Sequence, residues 1–174
     1  IKVPTMKHAL FALTLLISVT AQAVSLSLND ILADLPTLDD SLPTPKEVTG
    51  VDVGERHWYH YEIVAYLDAL ADASPRMTAL GEHARTYGGR PLVSYAISTP
   101  KNIARLDEIR AARASIIDPA ANVALADQPA VLHMMYSIHG NEPSGANSTP
   151  LIAHYLNAAQ DEALLDQLKD VVII

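Results

Sequence analysis

Two continuous apolar runs, Ala130 to Ile138 and Val171 to Ile174, bracket a helix-patterned stretch, and no other feature constrains the fold as strongly. Runs of strand length that do not alternate with polar residues fit strands buried on both faces of a sheet. A sheet of that kind needs helices above and below it. The second run is β-branched and carries no turn, cap or polar tail after it, so the sequence is expected to be a fragment cut within a strand.

Upstream patterning fills in the remaining elements. Ile63, Val64, Leu67, Leu70 and Ala71 recur at helical spacing between Trp58 and Ala73, and Ser74-Pro75 supplies the stop. Met77 to Tyr87 and Pro91 to Ser98 read as two strands joined by a turn at Gly88-Gly89. No Lys-Ser/Thr follows those glycines, which excludes a phosphate loop. Asn102 to Ile116 reads as a surface helix ended by Asp118-Pro119, and Asp161 to Leu168 as a short helix before the last strand. The order strand, strand, helix, strand, helix, strand predicts an α/β fold: a mixed, mostly parallel sheet with helices on both faces.

With 49% hydrophobic and 18% charged residues, the chain can build a core. A net charge of -8 offers no basic surface to neutralise phosphates, so nucleic acid is not an expected partner. The absence of cysteine removes disulfides, thiolate metal sites and thiol nucleophiles, and leaves histidine and carboxylate as the ligands for any metal.

Residues 1–23 read as a few upstream residues followed by an export signal. Met6-Lys7 opens it, Ala9 to Val19 is its apolar run, and Ala21-Gln22-Ala23 is a small-x-small cleavage site, with cleavage expected after Ala23. The apolar run is short for a membrane span, so a secreted or periplasmic protein without a stable membrane anchor is expected. Residues 24–50, with Pro36, Pro43 and Pro45 among Asp, Ser and Thr, read as an extended, solvated lead-in. The folded unit is then 51–174.

The stretch with chemistry is Tyr136-Ser137-Ile138-His139-Gly140-Asn141-Glu142-Pro143-Ser144-Gly145. Ligands of open α/β sheets gather beyond the carboxyl ends of strands, which is where His139 is expected. His139 to Glu142 has the length of one tight turn, and Gly140 and Asn141 tolerate positive φ at its centre. Pro143 biases Glu142 away from helical backbone and suits the first position of a following helix. An imidazole and a carboxylate at a strand-to-helix junction suit Zn²⁺. The spacing alone also fits a strand-end histidine and a helix-start carboxylate with no metal between them. The other histidines carry no such context. His57 and His60 read as surface or capping residues, His133 and His154 as packed and hydrogen-bonded ones, and His83 stands without a motif.

In order along the chain, Val53-Gly54-Glu55-Arg56-His57, Ala73-Ser74-Pro75-Arg76, Tyr87-Gly88-Gly89-Arg90-Pro91-Leu92 and His139-Gly140-Asn141-Glu142-Pro143-Ser144-Gly145 resemble the zinc metallocarboxypeptidase family, in its larger bacterial secreted members. The resemblance spans about residues 51 to 174. It implies one catalytic Zn²⁺ per complete domain, held by a His, Glu, His set whose first two members map to His139 and Glu142. It also implies a peptide or protein substrate cleaved at its C-terminal bond by a zinc-activated water. The third ligand, the general-base glutamate and the residues gripping the substrate carboxylate would lie beyond Ile174, so no catalytic residue is expected in this fragment, which alone is expected to be inactive. Two departures stand out. Asn141 occupies a position where pancreatic members carry arginine, and Pro150 is expected to delay or kink the helix after the motif. The string His-Gly-Asn-Glu is shared with aspartoacylase and succinylglutamate desuccinylase-like amidohydrolases, which remain an alternative, as does a secreted binding module of the same fold that has lost the chemistry.

Overall fold

The computed structural model describes residues 30–31, 37–118, 120 and 128–174. The export signal expected over 1–23 and much of the lead-in before Thr37 lie outside the described residues. Ten elements follow from Pro45 onward: α1 (Pro45–Thr49), α2 (His60–Ala73), β1 (Met77–Arg85), β2 (Pro91–Ile97), α3 (Pro100–Ile103), α4 (Leu106–Ser115), β3 (Ala130–Leu132), α5 (Pro143–Ala158), α6 (Glu162–Gln167) and β4 (Val171–Ile173). No helix among the described residues is long and apolar enough to cross a membrane.

The expected hairpin is present. β1 and β2 pair antiparallel, with the chain reversing through a turn closed by Gly89 N–H to Thr86 C=O at 2.9 Å. Gly89 sits at φ 75°, backbone that a glycine adopts without a Cβ penalty. The sheet continues in the order β1-β2-β4-β3. β2 meets β4 antiparallel at Ile97 and Ile173, and β4 runs parallel to β3 with Val131 opposite Val172. The fold is therefore mixed α/β, as the sequence predicts.

Alternation along the strands separates two cores. Met77, Ile97 and Ile173 pack with Trp58, Tyr66, Leu67 and Leu70 around α2 and with Ala153 and Ala158 of α5. Ala96 and Val172, of opposite parity, pack with Ile109 of α4 and with Ile103 and Leu106. Neighbouring strand residues point to opposite faces, so helices cover both faces of the sheet. Tyr66 and Leu70 are fully buried, and each side chain contributes about 2 kcal/mol of apolar transfer.

Three local expectations change. Residues 37–50 are packed rather than solvated: Leu42 and Pro45 are buried, Asp39 N–H bonds Ala158 C=O at 2.7 Å, and α1 opens with a Thr44–Glu47 capping box. Proline here shapes a helix start, because Pro45 at the first helical position has no N–H to leave unsatisfied. The surface helix of 102–116 is two helices, α3 and α4, separated at Ala104-Arg105.

The third change concerns the apolar run of 130–138. Only Ala130–Leu132 is strand, all three residues are exposed, and Ile138 is 75% exposed. β3 lies at the edge of the sheet, and the ladder to β4 ends with Met134 N–H on Ile174 C=O at 2.7 Å. Past Met134 the backbone has no strand partner among the described residues.

Candidate functional site

Between Met134 and α5 the chain makes an irregular passage and then a turn. Ser137 carries φ 59°, the one non-glycine residue in left-handed backbone among the described residues. That conformation costs a side-chain-bearing residue about 1 kcal/mol or more, and such residues cluster where a chain must be re-aimed at a site. His139 follows two residues later, so it stands beyond an irregular segment rather than directly at a strand end. The His139–Glu142 turn forms as expected, with Glu142 N–H donating to His139 C=O at 3.0 Å. It does so without positive φ at Gly140 or Asn141. The left-handed residue is Ser137 instead.

Glu142 is the N-cap of α5 at φ -116°, ψ 70°, outside the helical region as a residue before proline should be, and Pro143 is the first helical residue. Pro150 does not delay the helix. It is buried inside α5, and the Ser148 and Thr149 hydroxyls both donate to the Gly145 carbonyl, at 2.8 and 3.0 Å, in the turn before it. The side chains of His139 and Glu142 are both exposed at the ends of one hydrogen-bonded turn. A nitrogen donor and a carboxylate donor held this way fit a zinc ion as a partial ligand set. No group of three His, Asp or Glu side chains that could hold a metal occurs among the described residues.

The start of α5 is held from two sides. Within α5, Gly145 lies so close to Tyr136 that a Cβ there would come within 3.0 Å of the ring. The segment leading to His139 and the first turn after Glu142 are thus in direct contact. On the other side, Asn147 accepts a hydrogen bond from Trp58 N–H at 2.8 Å and donates to Pro143 C=O at 2.8 Å. Trp58 and Asn147, with Gly54, Arg56 and His57, line a surface depression beside α5.

Arg56 fixes that loop. Its guanidinium grips both oxygens of Glu62 at 2.6 and 2.9 Å, donates to His57 C=O at 2.9 Å, and stacks 5.1 Å from the Tyr59 ring. Glu62 also accepts from Tyr59 N–H at 2.8 Å, which caps α2. The hydrogen bonds from Arg56, then that from Tyr59, hold the Glu62 carboxyl below its ordinary range.

Deeper along α5, His154 is buried and its Nδ1 lies 2.9 Å from the Tyr66 hydroxyl. Burial pulls the imidazole below its ordinary pKa, against a backbone hydrogen bond with Pro43 and the charge of Glu47. Burial pushes the Tyr66 hydroxyl well up. His154 is therefore packed, as expected, whereas His133, just past the end of β3, is exposed rather than buried. His57 is exposed, and His60 bonds Pro91 C=O through Nε2 at 3.0 Å, so neither approaches a ligand cluster.

Sequence patterning finds the turn but misses what supports it. Asn147, Gly145 and Tyr136 act through contacts across elements, which no local pattern in the sequence marks. A family model described as zinc carboxypeptidase matches residues 63–174, which include the His139–Glu142 turn. No curated protein and no solved structure matches the chain.

Proposed function

The chain belongs to the zinc carboxypeptidase family, and from that membership we propose that it is the N-terminal part of an exported peptidase that removes C-terminal residues from peptides. The observation that carries this reading is the turn itself: within the matched span, His139 and Glu142 stand exposed at the two ends of one turn closed by a 3.0 Å backbone bond. His139 and Glu142 are the first two zinc ligands. The remaining histidine ligand and the general base come from sequence following Ile174. Zinc held there supplies Lewis-acid polarisation of a scissile carbonyl and activation of water. The part played by this chain is to hold the imidazole and carboxylate in one orientation, which the turn, Pro143 and the anchored start of α5 support.

The test is zinc content and zinc affinity of the full-length protein beside His139→Ala and Glu142→Ala variants, with release of C-terminal residues from peptides bearing free or amidated C-termini. Wild type is expected to hold one zinc and to cleave only free C-termini, and each variant to lose metal. Unchanged zinc content in both variants would overturn the ligand assignment. Export is tested by N-terminal sequencing of the secreted product, expected to begin at Val24.

A further inference from the structure

We infer that Asn147 is a positioning residue for the metal turn, acting through the peptide unit between His57 and Trp58. This inference rests on the zinc reading above. The peptide unit is clamped at both ends: its carbonyl accepts from Arg56 at 2.9 Å, and its N–H donates to Asn147 Oδ1 at 2.8 Å. Arg56 is itself locked by its two bonds to Glu62 in the first turn of α2. From the other end of its amide, Asn147 Nδ2 donates at 2.8 Å to the carbonyl of Pro143, the residue bonded to Glu142. A continuous hydrogen-bonded line therefore runs from Glu62 through Arg56, the 57–58 peptide and Asn147 to the residue after the carboxylate ligand.

The geometry gives this line a specific task. Glu142 is a half-helical cap residue at φ -116°, ψ 70°, and its own side chain makes no capping bond that would fix it. Its orientation is set by where Pro143 is held. Helix ends fray, and Asn147, one turn into α5, lines the surface depression between the helix and the Gly54–Trp58 segment. Asn147 is half-buried and uses both ends of its amide, which removes the freedom of the first helical turn relative to α2. Ligands on a rigid support bind metal more tightly than the same ligands on a loose one, and loss of such support typically lowers metal affinity by about 10- to 100-fold.

Three variants of the full-length protein separate the possibilities: Asn147→Ala, which loses both bonds, Asn147→Asp, which keeps an acceptor for Trp58 N–H but loses the donor to Pro143, and His139→Ala as a control. Zinc affinity is measured by competition with a chromophoric chelator, Co²⁺ substitution reports the ligand geometry through its visible spectrum, and thermal melts confirm that each variant is folded at the assay temperature. The expected result is about tenfold weaker zinc binding and an altered Co²⁺ spectrum in both Asn147 variants. If Asn147→Ala does not fold, Asn147→Asp decides alone. Affinity within twofold of wild type with an unchanged Co²⁺ spectrum in folded Asn147→Asp overturns the positioning role. Equal zinc binding by wild type and His139→Ala overturns the zinc reading itself, a separate outcome.

Discussion

Tyr66→Phe probes the contact that seats α5 on α2. Tyr66 is fully buried, His154 is 3% exposed, and their polar atoms are 2.9 Å apart. The backbone partner of the imidazole is at Pro43, which has no N–H, so the ring must donate to the Pro43 carbonyl. In the neutral ring Nδ1 is then the acceptor, and the Tyr66 hydroxyl the donor. Removing that hydroxyl leaves a buried lone pair without a partner. Switching the tautomer does not help, since Nδ1–H would then face an apolar ring and be left without a partner. The change deletes one oxygen and opens little volume, so the cost is that of an unsatisfied buried acceptor, about 1–3 kcal/mol. At about 2–4 °C per kcal/mol for a chain of this size, a loss of 2 kcal/mol lowers Tm by about 4–8 °C. Urea denaturation followed by far-UV circular dichroism at pH 8 measures it, and adding His154→Leu to Tyr66→Phe should recover part of the loss, because both polar partners are then gone. A Tyr66→Phe variant within about 0.5 kcal/mol of wild type would refute the argument that this hydroxyl satisfies His154.

Three further outcomes follow from neighbouring geometry. Gly145→Ala places a Cβ 3.0 Å from the Tyr136 ring and is expected to cost about 1 kcal/mol in thermal melts, with Tyr136→Leu in the same chain relieving the collision; additive losses would contradict that account. Ser137→Val puts a β-branched residue at φ 59° and should destabilise by about 1–2 kcal/mol, whereas Ser137→Gly should not destabilise, and equal urea midpoints for the two would show that the backbone there is unstrained. His154 has a folded pKa depressed by burial, so the unfolded chain binds the extra proton first. Its contribution is fully present above the unfolded value of about 6.5 and is lost as pH falls through the folded value. Wild-type stability should therefore fall more steeply than that of His154→Leu between pH 7 and pH 5, and parallel profiles would remove His154 from the acid response.

The elements legible in the sequence are those whose signal is local. The 3.6-residue spacing of Ile63, Leu67 and Leu70 marks α2, Gly88-Gly89 marks the hairpin, and Pro143 marks the start of α5. The turn from His139 to Glu142 is legible for the same reason, since its length, glycine and proline act within a few residues. What escapes is set by partners distant in sequence. Apolar character reaches Ile138, whereas β3 covers Ala130–Leu132 and its ladder to β4 closes with Met134 N–H on the carbonyl of Ile174, so strand extent depends on a partner backbone and not on apolar character alone. The lead-in looks solvated because its prolines and acids dominate its composition, while Leu42 and Val48 pack into the core and Leu38 bridges Ala159, contacts that no local pattern announces.

The same division governs the site. The two proposed ligand positions can be picked out from ten consecutive residues, but the stiffness that would make them good ligands is non-local. It comes from Tyr136 against Gly145 across the turn, from Asn147 reaching Trp58 across 89 positions in sequence, and from His154 reaching Tyr66 across 88. All three contacts act on one helix. α5 carries Glu142 at its cap, Asn147 in its second turn and His154 in its last turns, so packing of α5 against α2 and orientation of the carboxylate are one mechanical problem. A substitution near His154 that tilts α5 should therefore reach the His139–Glu142 turn, although Glu142 and His154 lie twelve residues apart along a helix of about 1.5 Å per residue, roughly 18 Å.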